Sequence, residues 1–464
     1  MKRAMIAAPK SGSGKTLITC GLLRLMTSHG FDVTSFKCGP DFIDPMFHRR
    51  VLGVPGGNLD SFFSGDDELR KILSRKGHEY AVIEGVMGIY DGIINNPSDR
   101  FDYSGSCYEI ASITDTPIIL VIDVKGMGRT MLSVIKGILE DDNKYLIRGI
   151  ILNRISEQYY KQISPLITQD LPEYVTLLGG IPSSDDVKLD SRHLGLIMPD
   201  EIDDIVRIVD AAAGLIGQYI DTDELFSIMA GAEQKDSRKN HQSVFSTHIE
   251  SAPYEKNDGS PVLAVARDEA FCFYYSENLR MLDHAGIVLR EFSPLHDDKL
   301  PENADGILLG GGYPELFAEE LSRNVSMKRS VCEAVKNGMP SIAECGGFMY
   351  LMDELSDPAG KTWPMCGVVS GRAYYTCRLT RFGYIDITLP GGSKVKGHEF
   401  HYSDSDNNGT DAHAVKPGSG KNWDCIHAGL DHLWGFPHLW YPSCPNLITH
   451  IADRMHKYHN EKLI

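Results

Sequence analysis

AMIAAPKSGSGKTLITCGLLRLMTSHG, residues 4–30, passes from an apolar run through a glycine-rich turn into a helix-like stretch. Gly12, Gly14, Lys15 and Thr16 sit at the junction. A strand that turns on glycines into a helix presents backbone N–H groups and a positive dipole end to phosphates, while the lysine reaches their outer oxygens. Thr16 is placed to ligate magnesium beside them. The reading that follows is a phosphate-binding loop opening a parallel α/β domain.

Working outward, apolar β-rich runs (DVTSF, YAVIEG, PIILVIDV, IRGIILN, TLLGGI) alternate with helical patterns to about residue 200, as in a parallel sheet wrapped by helices. Two acidic clusters extend the loop. In SFKCGPDFIDPMFH, Lys37, Asp41 and Asp44 stand just beyond a predicted strand, and Gly39-Pro40 opens a turn that presents side chains to a ligand. In YAVIEGVMGIYDG, Glu84 ends a buried strand, where open parallel sheets place their ligand sites. A carboxylate there can hold magnesium beside the loop, and Asp91 can orient a substrate. Turn aspartates also bond their own backbone, so Asp41, Asp44 and Asp91 carry that reading too.

The chain has 464 residues, which exceeds a single core at ~100–200 residues per domain. A net charge of −17 offers no general attraction to nucleic acid or to an anionic membrane surface. Apolar stretches such as TPIILVIDV, residues 116–124, fall short of the ~20 residues of a membrane span. MKRAMIAAP looks superficially like a signal peptide, but the phosphate loop begins at once and argues against removal. Ten cysteines without CxxC spacing point to reduced thiols in a cytoplasm. Residues 230–260 are polar with few regular apolar positions and are expected as a linker between domains at 1–229 and 261–464. Beyond it the alternation restarts with PVLAVARD, IVLREFSP, DGILLGGGYPE and MPSIAEC, predicting a second α/β domain.

In PSIAECGGFMYL, Cys345 stands at a sharp strand-to-helix turn. Glycines permit the geometry, and a helix N-terminus is expected to expose the sulfur and lower its pKa. Cys345 is therefore the candidate nucleophile, whereas Cys20, Cys38, Cys107, Cys272 and Cys332 are expected as packing residues.

APKSGSGKT, FKCGPDFIDPMFH, GNLDSF, VIEGVMGIYDG, IILNRIS and LDSRHLGL occur in this order, followed by AVARDEAFCFYYSENLRMLDHAG, FSPLHD, GGGYPELFAEEL and AECGGFMYL. Together they resemble the cobyrinic acid a,c-diamide synthase family over nearly the whole chain. Pro9 replaces the usual first glycine, and Lys10 stands where partitioning ATPases and their relatives carry an extra lysine. The resemblance implies a dethiobiotin synthetase-like, P-loop NTPase-like parallel sheet and a class I glutamine amidotransferase-like α/β domain. It implies that the first binds ATP and Mg2+ and phosphorylates carboxylates of a corrinoid, and that the second hydrolyses glutamine to supply ammonia. Carried over by motif, Lys10 to Thr16 bind the triphosphate, Thr16, Glu84 and Asp41 hold the metal, and Asn153 reads adenine. Gly310, Gly311 and Gly312 resemble the oxyanion loop of triad-class amidotransferases.

Aligning GFPHLWYPSCPNL on Ser443 and Pro445 places His438 as the general base, with Trp440 where the family carries a second histidine and Pro437 before the base. His401 and His398, in GHEFHYS, are its rivals. Hydrogenobyrinic acid and nickel sirohydrochlorin are alternative substrates by the same mechanism. A partitioning-type ATPase switch would share the loop and Lys10 but has no use for Cys345, and a regulatory glutaminase-like module would lack the nucleophile. The expected partners are small molecules, without nucleic acid or membrane, and a homodimer is compatible with the reading.

Overall fold

The computed structural model describes residues 1–75, 77–93, 98–187, 205–238 and 259–462. The chain divides into two compact units, Met1–Val244 and Phe245–Ile464. Among the described residues no helix is long and apolar enough to cross a membrane.

The amino-terminal unit begins with β1 (Lys2–Ala7), α1 (Lys15–Ser28), β2 (Val33–Cys38), α2 (Ile43–Leu52), β3 (Gly56–Leu59), α3 (Asp66–Ser74) and β4 (Tyr80–Glu84). It continues through α4 (Cys107–Ile113), β5 (Ile118–Asp123), α5 (Met131–Asp141), β6 (Ile147–Asn153), α6 (Glu157–Asp170) and β7 (Thr176–Ile181). Helices α7 (Ile205–Tyr219) and α8 (Thr222–Arg238) follow. The seven strands form one parallel sheet in the order β3-β2-β4-β1-β5-β6-β7. Helices cover both faces of such a sheet, so its central strands read as continuous apolar runs rather than alternating ones. β4 and the first five residues of β5 are buried throughout. Because β1 lies between β4 and β5, the turn after β1 opens close to the ends of β2, β4 and β6, where Lys37, Glu84 and Asn153 stand.

α8 runs through Arg238, into the stretch expected as linker, with Leu225, Met229 and Ala232 buried at helical spacing. Residues 239–258 and LDSRHLGL, residues 189–196, lie outside the described residues.

The carboxy-terminal unit opens with β8 (Val262–Ala266), β9 (Phe271–Phe273), α9 (Ser276–His284), β10 (Val288–Phe292), β11 (Gly306–Leu309) and β12 (Gly311–Gly312). It proceeds through α10 (Ala318–Arg323), α11 (Val325–Lys336), β13 (Ser341–Glu344) and α12 (Gly346–Leu351). A strand-rich region follows: β14 (Met352–Ser356), β15 (Thr362–Pro364), β16 (Val369–Tyr375), β17 (Arg381–Thr388), β18 (Lys394–His401) and β19 (Ser403–Ser405). The chain ends with β20 (Ala412–Val415), β21 (Asn422–Cys425), β22 (His427–Ala428), β23 (His432–Gly435), β24 (His438–Trp440) and α13 (Pro445–Lys462).

The main sheet runs β10-β8-β11-β13-β23-β22, parallel except for the last pair. β11, β13 and β23 are adjacent, so the residues that leave their carboxyl ends meet. β24 instead joins the antiparallel sheet β21-β20-β17-β18-β24 and sets His438 opposite His398.

α1 and α7 approach closely at Gly21, where a Cβ would lie 2.9 Å from both the Ala212 carbonyl carbon and Ile216 Cδ1. Gly21→Val is therefore expected to destabilise the amino-terminal unit by about 1–3 kcal/mol through overpacking. Thermal denaturation checks this as a fall in Tm of about 2–4 °C per kcal/mol, and an unchanged Tm contradicts the packing.

Candidate active sites

In the amino-terminal unit the loop after β1 needs glycine for two reasons. Gly12 and Gly14 have φ of 74° and 96°, and a Cβ on Gly14 would lie 2.4 Å from Asn153 Nδ2. Asn153, at the end of β6, donates from Nδ2 to the Ser13 carbonyl at 2.8 Å. Arg154 donates to the Gly12 carbonyl. The side chain expected to read a base thus holds the loop in shape here. Lys15 is buried, and its Nζ donates to the Met87 carbonyl at 2.6 Å and the Lys10 carbonyl at 3.3 Å. Burial, and then the Lys37 charge, lower the Lys15 pKa. The Lys10 side chain is exposed at the rim.

Beneath the loop lies a buried charge cluster. Thr16 Oγ1 donates to Glu84 Oε1 at 2.6 Å, and Lys37 Nζ lies 2.9 Å from the same oxygen and 2.5 Å from Asp44 Oδ2. Burial, reinforced by the Asp44 charge, pushes Glu84 up to about 7 against the pull of Lys37. Burial also acts to raise Asp44, but the Lys37 ammonium overcomes it and holds that carboxyl below its usual range. Burial and Asp44 push Asp41 up to about 6. His48, which no motif argument had singled out, has Nδ1 3.0 Å from Ser35 Oγ and Nε2 3.8 Å from Glu84 Oε2. Burial lowers its pKa to about 4, so it is neutral.

Glu84 Oε2 is closed to solvent without a hydrogen-bond partner. Thr16 and Glu84 are the oxygen donors that fit a magnesium ion, because that ion takes one or two carboxylates and fills its remaining positions with phosphate and water. Asp41 Oδ1 accepts the Ile43 N–H at 2.8 Å, and Asp91 Oδ2 accepts the Gly88 N–H at 2.8 Å, so both carboxylates close their own turns. The Asp91 turn is nevertheless packed on the loop, since a Cβ on Gly88 would lie 2.5 Å from the Pro9 carbonyl oxygen.

In the carboxy-terminal unit Cys345 leaves β13 at φ 49°, ψ −103°, a backbone conformation that L-residues rarely adopt. Its N–H donates to the Gly435 carbonyl at 2.8 Å, tying the turn to the end of β23. Gly346 and Gly347 allow the next residues to approach β11 and β12. A Cβ on Gly347 would lie 2.2 Å from the Leu309 carbonyl oxygen, and one on Gly346 would lie 3.1 Å from the Gly312 nitrogen.

The expectation that the turn exposes the sulfur and lowers its pKa is overturned. Cys345 is only 5% exposed. Burial first, and then the charges of Glu315 and Glu399, raise its pKa, against the Gly346 N–H. Gly310 is also corrected as an oxyanion donor. Its N–H donates to the Tyr274 hydroxyl at 2.9 Å, and its carbonyl accepts the Gly347 N–H at 2.9 Å, so it anchors the loop.

A Cβ on Gly311 would lie 2.3 Å from His438 Cε1 and 3.2 Å from Nε2, so this imidazole lies against the glycine loop. Burial, and then the neighbouring His398 and His401, hold the His438 pKa well below its usual value, leaving a neutral, proton-accepting ring. His398 stacks on it with centroids 4.9 Å apart, and its own pKa is lowered to about 3 by burial. His401 is held between the Ser403 carbonyl at 2.6 Å and Glu399 Oε2 at 3.1 Å, and it stacks on Phe436. The acid beside His438 is Glu344, which precedes Cys345. Its Oε2 lies 3.9 Å from His438 Nδ1, and its Oε1 accepts the Tyr441 hydroxyl at 2.9 Å. Burial pushes Glu344 up to about 8.

Residues 4–197 match the family model described as the CobQ/CobB/MinD/ParA nucleotide binding domain. Residues 262–432 match the CobB/CobQ-like glutamine amidotransferase domain. The cobyrinate a,c-diamide synthase of Caldanaerobacter subterraneus subsp. tengcongensis is 35% identical over 447 residues, covering 94% of each chain. That of Clostridium tetani is 37% identical over 450 residues, covering 95% of this chain and 97% of its own. That of Clostridium acetobutylicum is 34% identical over 464 residues, covering 97% and 100%.

Gly311→Ala would press a methyl group onto the imidazole. The variant is expected to release glutamate from glutamine about 10²-fold more slowly, as misplacement of a reacting group by about 1 Å does. Unchanged turnover contradicts the placement of His438.

Proposed function

The chain belongs to the cobyrinate a,c-diamide synthase family, and from that premise we propose that it amidates the a and c side-chain carboxylates of cobyrinic acid through acyl phosphates. It is an ATP-dependent, glutamine-hydrolysing carbon–nitrogen ligase. The observation that carries the reading is the convergence of Cys345, Gly311, Gly312 and His438 at the ends of neighbouring strands, in a chain whose other unit folds a phosphate loop over Thr16 and Glu84.

In the glutaminase, neutral His438 takes the Cys345 proton as Sγ attacks the glutamine carboxamide. Gly312 and Gly346 N–H groups are the proposed donors to the tetrahedral oxygen. The returned proton leaves with ammonia, and water then cleaves the γ-glutamyl thioester to glutamate. Glu344 holds the base in place.

In the synthetase, a corrinoid carboxylate oxygen attacks the γ-phosphorus and ADP leaves. Ammonia then attacks the acyl carbon and phosphate departs. A carboxylate is too poor an acylating agent without this activation, and the protein's task is positioning and charge neutralisation. Lys10 to Thr16 cradle the triphosphate, with Gly12 and Gly14 shaping the loop, Lys15 on the outer phosphates and Asn153 at the adenine end. Lys37, Asp44 and Asp91 position the acid and the transferring group. Thr16 and Glu84, with Asp41 third, would hold magnesium, which neutralises phosphate charge when bound. We place the reaction in the cytoplasm. Relatives named for cobyrinate favour that ring over hydrogenobyrinic acid or nickel sirohydrochlorin.

Cys345→Ala is expected to lose glutamine-supported amidation by about 10³-fold or more while ammonium-supported amidation survives. A folded variant that ammonium cannot rescue contradicts this division of labour. Lys15→Ala is expected to lose activity with either nitrogen source, because it removes positive charge from the transferring phosphoryl group. Hydroxylamine in place of ammonia should trap the acyl phosphate as a corrinoid hydroxamate, and ATP-dependent amidation without any hydroxamate contradicts that intermediate.

A further inference from the structure

Glu315 follows the glycine loop and has no part in the chemistry above. Its side chain is half-buried, and Oε2 is closed to solvent without a hydrogen-bond partner. Its neighbour Pro314 packs on the residue after the nucleophile: a Cβ on Gly346 would lie 2.8 Å from Pro314 Cδ. Glu315 is thereby held next to the turn that carries the thiol. After burial, the Glu315 charge is the largest influence keeping the Cys345 thiol protonated. Burial pushes Glu315 itself up to about 7, opposed by its own backbone N–H.

A buried carboxylate oxygen without a partner is unfavourable, and here its charge also hinders thiolate formation. Both penalties disappear when a cation arrives. Glutamine carries one, an α-ammonium, at the end of the molecule opposite the carboxamide that must meet Cys345. An ammonium on a carboxylate in a water-poor site makes a charge-assisted hydrogen bond, roughly twice as strong as a neutral one.

Resting on the glutaminase reading of this unit, we propose that Glu315 binds the α-ammonium of glutamine and thereby makes attack by Cys345 conditional on an amino-acid substrate. While the subsite is empty, the Glu315 charge opposes the nucleophile. Once glutamine docks, that charge is cancelled, and the thiol proton passes more readily to His438. Simple amides that lack an α-ammonium fail to relieve the opposition.

The test compares kcat/KM for ammonia release from L-glutamine and from glutaramate, which has the same carboxamide without the α-ammonium, using the full chain. The parent protein is expected to prefer glutamine. Glu315→Gln should lower kcat/KM for glutamine by about 10²-fold, the scale of a lost buried charge pair, mainly through KM. It should raise kcat/KM for glutaramate several-fold, because the opposing charge is gone, and so collapse the preference. Glu315→Asp should retain part of the preference, which a merely structural role would not produce. Equal losses for both substrates in both variants, or an unchanged preference in Glu315→Gln, overturn the proposal. If the parent releases no glutamate from glutamine, the glutaminase reading fails and the proposal falls with it.

Discussion

Both units depend on one constraint, the close approach of turns that leave adjacent parallel strands. Strands about 4.8 Å apart deliver their next residues into the same small volume, and side chains in the wrong places would block it. Gly14 against Asn153, Gly347 against Leu309 and Gly311 against His438 are three instances, each leaving too little room for a Cβ. The candidate reacting groups come together because their neighbours have almost no bulk. Cys345 and His438 consequently follow different strands, β13 and β23, with the phosphate loop built in the same way in the other unit.

Burial then determines which groups carry charge. In the amino-terminal unit Lys37 is enclosed with Glu84 and Asp44, and those two carboxylates keep it charged where burial alone would neutralise it. In the carboxy-terminal unit burial keeps the thiol protonated and the imidazole neutral at rest. Cys345 and His438 therefore do not form an ion pair at rest. The same low-polarity surroundings that delay ionisation strengthen each hydrogen bond made to the tetrahedral oxygen.

Much of this was legible in the sequence because it is local. The phosphate loop, Glu84 at the end of its strand and Cys345 at its turn each carry a signal within a dozen residues. β3 was missed because GGNL has neither alternation nor β-branched residues, and only its pairing with β2 makes it a strand. The antiparallel strands between Met352 and Trp440 were likewise hidden, since several are short and half-exposed. Partners distant in the chain were also hidden. Asn153 holds a loop 140 residues before it, and Tyr274 takes the N–H of Gly310 from 36 residues away. The polar composition after residue 229 concealed the remainder of α8, whose earlier buried stripe is sparse but regular.

The central claim is that the two chemistries serve one reaction, and a stoichiometric isotope experiment tests it most directly. With ATP, cobyrinic acid and [amide-15N]glutamine, the account predicts one ADP and one glutamate for each amide formed, with 15N in the product. ADP and glutamate accumulating at rates that ignore the corrinoid acid, or amides lacking 15N when glutamine is the sole nitrogen source, would contradict it.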